Sequence, residues 1–229
     1  MTYVENIKKQ INKYEVAEPI YISVLAKNLA QEYNLPIQKA TANVSVILKR
    51  IINNNCIPEL RFYSKGIYYK TRTNVFGDLR IDKQKIIADK YLNNNNGYET
   101  GLSFMHRLSL TTQLPAYKTY ASNNADNCLR FNTKYEIYVC PAKTLITSDN
   151  IRYLQILDAV EMLPKTPIDA DEPYLIISKY IYDNNLDYEL LLYIAQCFYS
   201  KNVIIDLAFV AGRSKYESSF RYRRVQNDN

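Results

Sequence analysis

The residues with most chemistry to offer lie in two stretches of the first third of the chain. In "ELRFYSKGIYYKT", Glu59 to Thr71, the aromatic pattern predicts two short strands around a tight turn, with Ser64-Lys65-Gly66 at its tip. A cation on the point of a hairpin can neutralise a phosphate and fix register on a polyanion without reading its sequence. Upstream, one face of a predicted helix carries Gln38, Lys39, Thr41, Ala42, Asn43, Ser45, Lys49 and Arg50. Gln and Asn can pair with adenine, Lys with guanine, and Thr or Ala methyls can touch the thymine methyl. The candidate DNA contacts are therefore Ser23, Gln38, Lys39, Thr41, Asn43, Ser45, Lys49, Arg61, Ser64 and Lys65. Taken singly, each is also an ordinary surface residue.

The elements that must position them follow from periodicity. Thr2 and Glu5 fit a capping box, and Val4, Ile7, Ile11 and Tyr14 recur at helical spacing. Pro19 stops that helix. A second follows, with Ser23 as N-cap and Ile22, Leu25, Ala26, Leu29, Ala30 and Tyr33 on its buried face. Pro36 suits the first position of a third helix. Ile37, Ala40, Val44, Ile47, Leu48 and Ile51 form its apolar stripe. Asparagines 53–55 end it, and Ile57 to Phe62 and Ile67 to Lys70 are the hairpin strands. The order helix, helix, turn, helix, hairpin is the winged-helix plan. Its third helix would enter the major groove while the second crosses the backbone. Some winged helices bind only protein, and that alternative stays open.

The 229 residues are enough for two domains. The expected fold class is α+β: an N-terminal winged helix-turn-helix over residues 1–70, then a mixed domain over 71–229 with a small antiparallel sheet and several helices. Residues 71–82 read as a connector. Of the net charge of +6, residues 1–70 hold +5, from ten Lys/Arg against five Asp/Glu. A basic module joined to a neutral one suits a polyanion ligand. In the second part, Asp82 caps a short helix, and Lys118 to Ser122, Cys128 to Phe131 and Tyr135 to Cys140 read as strands. Helices follow over Ile151 to Leu163, Pro173 to Tyr182, Tyr188 to Tyr199 and Val203 to Arg213. The C-terminus gathers Arg213, Lys215, Arg221, Arg223 and Arg224, either a solvated tail or a second phosphate-contacting patch.

Cys56, Cys128, Cys140 and Cys197 form no CxxC pair, and the single histidine cannot complete a zinc set. They read as reduced, structural thiols of a cytoplasmic protein. No leader and no membrane-length apolar run is apparent. His106 lies beside Phe104, Met105 and Leu108, as a core or boundary residue. Neither GxSxG nor a Walker loop occurs. Asp169, Asp171 and Glu172 read as a solvated loop, with a carboxylate metal set as the alternative. No catalytic residue, metal or cofactor is expected.

"GLSFMHRLSLTTQLPAYKTYAS" and the "KGIYY" stretch, Lys65 to Tyr69, together resemble the AbiEi-type antitoxins, a family of transcriptional regulators of type IV toxin–antitoxin systems. The resemblance runs from about Val4 to about Leu163. It implies a winged helix that binds inverted repeats in its own promoter and represses, with self-association on DNA. It also implies a C-terminal domain that counteracts a nucleotidyltransferase-like toxin. By position, Lys65 and Gly66 match the wing, and Thr112, Gln113 and Pro115 match the central motif. A glycine frequent in the family between the two leucines is Ser109 here. Read from the residues alone, Thr112 and Gln113 belong to a turn whose side chains bind backbone. The alternative function is a winged-helix regulator with a ligand- or protein-sensing C-terminal domain and no toxin.

Overall fold

The computed structural model describes residues 2–75 and 77–213. The chain is mixed α+β with small, mainly antiparallel sheets. It divides into two compact units, one up to Ile86 and one from Ile87 onward.

In the first unit, α1 (Tyr3–Asn12) starts at a complete capping box: the Glu5 N–H donates to Thr2 Oγ1 and the Thr2 N–H to the Glu5 carboxylate. Ile7 and Ile11 are buried, but Val4 is exposed and Tyr14 lies past the helix end. β1 (Pro19–Tyr21) was not legible in the sequence. It runs straight into α2 (Ile22–Tyr33), so Tyr21 occupies the N-cap position and Ser23, expected there, sits inside the first turn. α3 (Ile37–Asn53) begins one residue after Pro36, which is its N-cap. Ala40, Val44, Ile47, Leu48 and Ile51 close the core with Ile7, Ile11, Leu25, Ala26 and Leu29. Ile37 does not join them; it is 52% exposed.

β2 (Leu60–Ser64) and β3 (Ile67–Lys70) form the hairpin. β2 starts later than expected because a turn, closed by the Leu60 N–H on the Ile57 carbonyl at 3.0 Å, takes up residues 57–60. β1, β3 and β2 make an antiparallel sheet in that order. The expected connector, 71–82, is folded into this unit. It holds the two-stranded hairpin of β4 (Thr73–Asn74) and β5 (Gly77–Asp78). Buried Thr71 donates to the Leu79 carbonyl at 2.9 Å, and the Asp82 N–H donates to the Ala17 carbonyl at 2.9 Å. Asp82 then caps α4 (Lys83–Ile87), accepting from the Lys85 N–H at 3.0 Å.

The second unit opens with a π-helical turn, Ala88–Leu92. Its sheet comprises β6 (Gly97–Thr100), β7 (Thr119–Ser122), β8 (Arg130–Asn132) and β9 (Ile137–Cys140), in the order β6-β7-β9-β8. The β7–β9 pairing is parallel; the others are antiparallel. α5 (Gly101–Arg107), α6 (Ile151–Met162), α7 (Pro173–Asp183), α8 (Tyr188–Phe198) and a helical segment over 201–213 supply the rest. Phe104, Met105, Leu154, Leu157, Ile177, Leu191 and Leu207 anchor the core. Arg213 pairs with Glu172 at 3.3 Å; Lys215, Arg221, Arg223 and Arg224 lie outside the described residues.

A chain with only five glycines must end its helices by other means. α2, α3, α5 and α7 each stop at a left-handed residue, Asn34, Asn55, Ser109 and Asn185. The next N–H reaches back five residues: Leu35 to Ala30, Cys56 to Ile51, Leu110 to Met105 and Leu186 to Ile181. This is the Schellman arrangement, with asparagine three times in the place glycine favours.

Candidate nucleic-acid interface

On α3, Gln38, Ala42, Val46 and Lys49 point away from the buried stripe, as the helical repeat requires. Gln38, Lys39, Ala42 and Lys49 are exposed, whereas Thr41, Asn43 and Ser45 are half-buried on the flanks. The Thr41 hydroxyl donates to the Ile37 carbonyl and that of Ser45 to the Thr41 carbonyl, both at 2.8 Å. A hydroxyl used this way must rotate before it can donate elsewhere. Val46, 47% exposed, stands among these residues and was missed, because its type reads as core.

The hairpin tip is tied to the start of α2. The Ile22 N–H donates to the Gly66 carbonyl at 3.0 Å, and Tyr21 pairs with Ile67. This places Lys65, which is exposed, beside the first turn of α2 and its exposed Ser23. Gly66 has φ +83°, and a Cβ there would meet nothing, so the residue serves backbone geometry rather than packing. Along α2, Ser23, Lys27, Gln31 and Asn34 share one face at helical spacing. With Leu35 and Ile37 they line a concavity of about 650 Å³. Lys27 and Gln31 were missed, although their spacing from Ser23 is readable in the sequence.

Two expected contacts are placed otherwise: Arg61 is engaged within the unit and the Ser64 hydroxyl is buried. The Arg61 guanidinium donates to the Pro58 carbonyl at 2.6 Å and pairs with Asp78 at 3.3 Å. The Thr73 hydroxyl foremost, and then Arg61, hold the Asp78 carboxyl below its ordinary range. Ser64 does not present its hydroxyl: Oγ is buried and has no hydrogen-bond partner. The Ser64 departure lies at a strand register shift between Phe62 and Ser64; that of Arg61 follows from the partners its guanidinium finds in Pro58 and Asp78. The whole first unit carries fourteen Lys/Arg against seven Asp/Glu, net +7; the remainder of the chain holds fifteen against sixteen.

In the second unit, the central motif is held by a residue far along the chain. Asp169 Oδ2 accepts from the Thr112 N–H at 2.7 Å, the Thr112 hydroxyl at 2.7 Å and the Thr111 hydroxyl at 3.2 Å. The two Thr112 contacts lower the Asp169 carboxyl below its ordinary value. The Thr112 side chain thus binds a carboxylate, not backbone as expected. Gln113 is exposed and Pro115 half-buried. His106 is a boundary residue whose Nδ1–H donates to the Thr111 carbonyl at 3.1 Å. Among the described residues no cluster of His, Cys, Asp and Glu is arranged to hold a metal.

A second polar knot escaped the sequence reading. Asp158 on α6 accepts from the hydroxyls of Tyr98 at 2.9 Å, Thr100 at 3.0 Å and Tyr199 at 2.7 Å. Burial raises its carboxyl, and burial beside it pushes the Cys140 thiol up to about 11. The readable signal was one aspartate within the apolar run "YLQILDAV". Cys56, Cys128 and Cys197 are free and exposed, so only Cys140 fits the expectation of a structural thiol. No helix among the described residues is long and apolar enough to cross a membrane. A scan against protein-family models finds no matching model, and a search of the curated proteins finds no match.

Proposed function

We propose that the first unit is a winged helix that binds double-stranded DNA, and that the protein is a transcriptional regulator. The observation that carries this reading is the locking of the Lys65 hairpin tip to the start of α2 by the Ile22–Gly66 bond. That bond sets a lysine next to the helix that, in a winged helix, crosses the DNA backbone, while α3 presents Gln38 and Lys49 to the major groove. The charge of +7 on this unit supplies the attraction to phosphate. Lys27 and Gln31 join Ser23 as backbone contacts. Arg61 and Ser64 drop out of the set, because their polar groups are used or buried inside the unit.

The autorepressor and antitoxin roles rest on the resemblance in Lys65 to Tyr69 and Leu108 to Pro115. A second reading keeps the DNA-binding unit and gives the second unit a ligand-sensing role; a cleft in that unit beside Lys90 favours it.

Fluorescence anisotropy over a salt series, using the full chain and duplex DNA from upstream of its own gene, tests the DNA reading. Preferential, salt-steep binding over a scrambled duplex is expected, with a log–log slope of about −0.9 per phosphate contact. Equal weak binding to both duplexes, or none, removes it.

A further inference from the structure

The second unit carries a cleft that the DNA reading does not use. It has a volume of about 260 Å³ and opens beside Lys90, Tyr91, Asn124, Asp126, Arg130 and Asn132. We infer that it is a binding site for a small oxyanion, of the size and charge of a phosphate or a compact phosphate monoester.

The argument begins with how firmly the walls are built. Lys90 and Tyr91 come from the π-helical turn Ala88–Leu92, a rare element found frequently at functional sites. The Asn124 amide donates to the Lys90 carbonyl at 2.8 Å. The Ser122 hydroxyl donates to the Tyr91 carbonyl at 2.8 Å, and the Asn132 amide donates to the Tyr91 hydroxyl at 3.3 Å. Asn132 Oδ1 in turn accepts from the N–H groups of Lys134 and Tyr135, both at 3.2 Å. The turn can approach the sheet this closely only because residue 97 is glycine: a Cβ there would lie 2.2 Å from the Tyr91 carbonyl oxygen.

Charge then decides what the cleft takes. The Arg130 guanidinium is paired with Asp126 at 3.2 Å. Lys90 is not neutralised in this way. Its ammonium lies 4.8 Å from the centre of the Tyr91 ring and 5.8 Å from that of Tyr135, and it forms no ion pair with a carboxylate of the described residues. Burial foremost, and then the neighbouring Lys90 charge, depress the Lys134 ammonium. Rings hold the lysine in place without cancelling its charge. An anion that enters gains a charge-assisted bond from Lys90, and the amides of Asn124 and Asn132 each keep one N–H beyond the bond they make in the wall. The volume of about 260 Å³ is below that of a typical drug-sized pocket, which suits a ligand as small as phosphate or a compact phosphate monoester.

Isothermal titration of the full chain with inorganic phosphate, at ionic strength matched with chloride, tests this. The wild type is expected to bind phosphate saturably, and Lys90→Gln to weaken it about tenfold, the worth of one charge-assisted bond. Lys90 is exposed, so the substitution leaves folding intact. Lys65→Ala, an equal loss of charge on the first unit, is expected to bind as the wild type does. Phosphate binding no stronger than chloride, or weakened by Lys65→Ala and not by Lys90→Gln, overturns the proposal. So does a Lys90→Gln variant that loses duplex DNA binding while the wild type ignores free phosphate, since the cleft would then track a nucleic-acid backbone.

Discussion

Asp169 and Thr112 are joined twice: one carboxylate oxygen accepts both the backbone N–H and the hydroxyl of the threonine, each at 2.7 Å. The pair closes a loop of 57 residues, and the Asp169 N–H returns a bond to the Leu110 carbonyl at 3.1 Å. The "LSLTTQLP" stretch is thereby clamped to the residues that lead into α7. A conspicuous motif thus has a mechanical explanation, whatever else it does.

Asp169→Ala is expected to lower the melting temperature of the second unit, and Thr112→Val to do the same without adding to it in the double variant. The folded-state carboxyl is depressed. Its contribution is therefore present above the ordinary aspartate value of 3.8 and lost as pH falls through the lowered folded value. Thermal melts of wild type and Asp169→Ala should converge in acid; additive effects of the two substitutions would refute the clamp.

Asp158 has the opposite sign. Burial raises its carboxyl, so its favourable contribution is complete below the ordinary value and is lost as pH rises through the raised one. Asp158→Asn should cost more stability near about pH 4 than near about pH 8 in urea titrations. Asp158→Ala strands three hydroxyls, each of which should cost about 1–3 kcal/mol, and its cost should fall from acid to alkaline pH as that of Asp158→Asn does. A difference between wild type and Asp158→Asn that does not change with pH would sink this account.

The first unit permits a contrast between two cations. Lys65→Ala should weaken binding evenly across DNA sequences and reduce the salt slope by about one. Arg61→Ala should leave the slope unchanged and lower the melting temperature instead, because its guanidinium serves Asp78 and the Pro58 carbonyl. Anisotropy and differential scanning calorimetry on both variants check this. A fall in slope for Arg61→Ala would return it to the interface.

Two backbone positions should respond in opposite directions. Ser109 sits at φ +62°, at the left-handed close of α5, where glycine relieves about 1 kcal/mol. Ser109→Gly should stabilise the protein by that order. Gly97→Ala places a Cβ 2.2 Å from one carbonyl oxygen and 2.5 Å from the Ala121 carbonyl oxygen, atoms that cannot swing aside. It should cost on the order of 3 kcal/mol. Urea midpoints of both variants decide the matter.

Local pattern determined much of this protein. The Thr2–Glu5 capping box, the α3 stripe from Ala40 to Ile51, the hairpin tip at Lys65-Gly66 and the strands near residues 119, 130 and 137 were all legible. They depend on neighbours within one helical turn or one hairpin, and such neighbours are adjacent in the sequence. What escaped depends on partners far apart. β1 is a strand because β3, fifty residues later, pairs with it: Pro19 faces Tyr69. Residues 71–82 join the first unit because Thr71, Leu79, Asp82 and Ala17 exchange hydrogen bonds. The Arg61 guanidinium is held at the surface by Asp78, and Asp158 gathers hydroxyls from β6 and from the residue after α8. The Lys90 cleft, likewise, exists only where a π-helical turn meets the sheet over a glycine. A residue's type states which bonds it can make, and only the fold decides which partner arrives to make them.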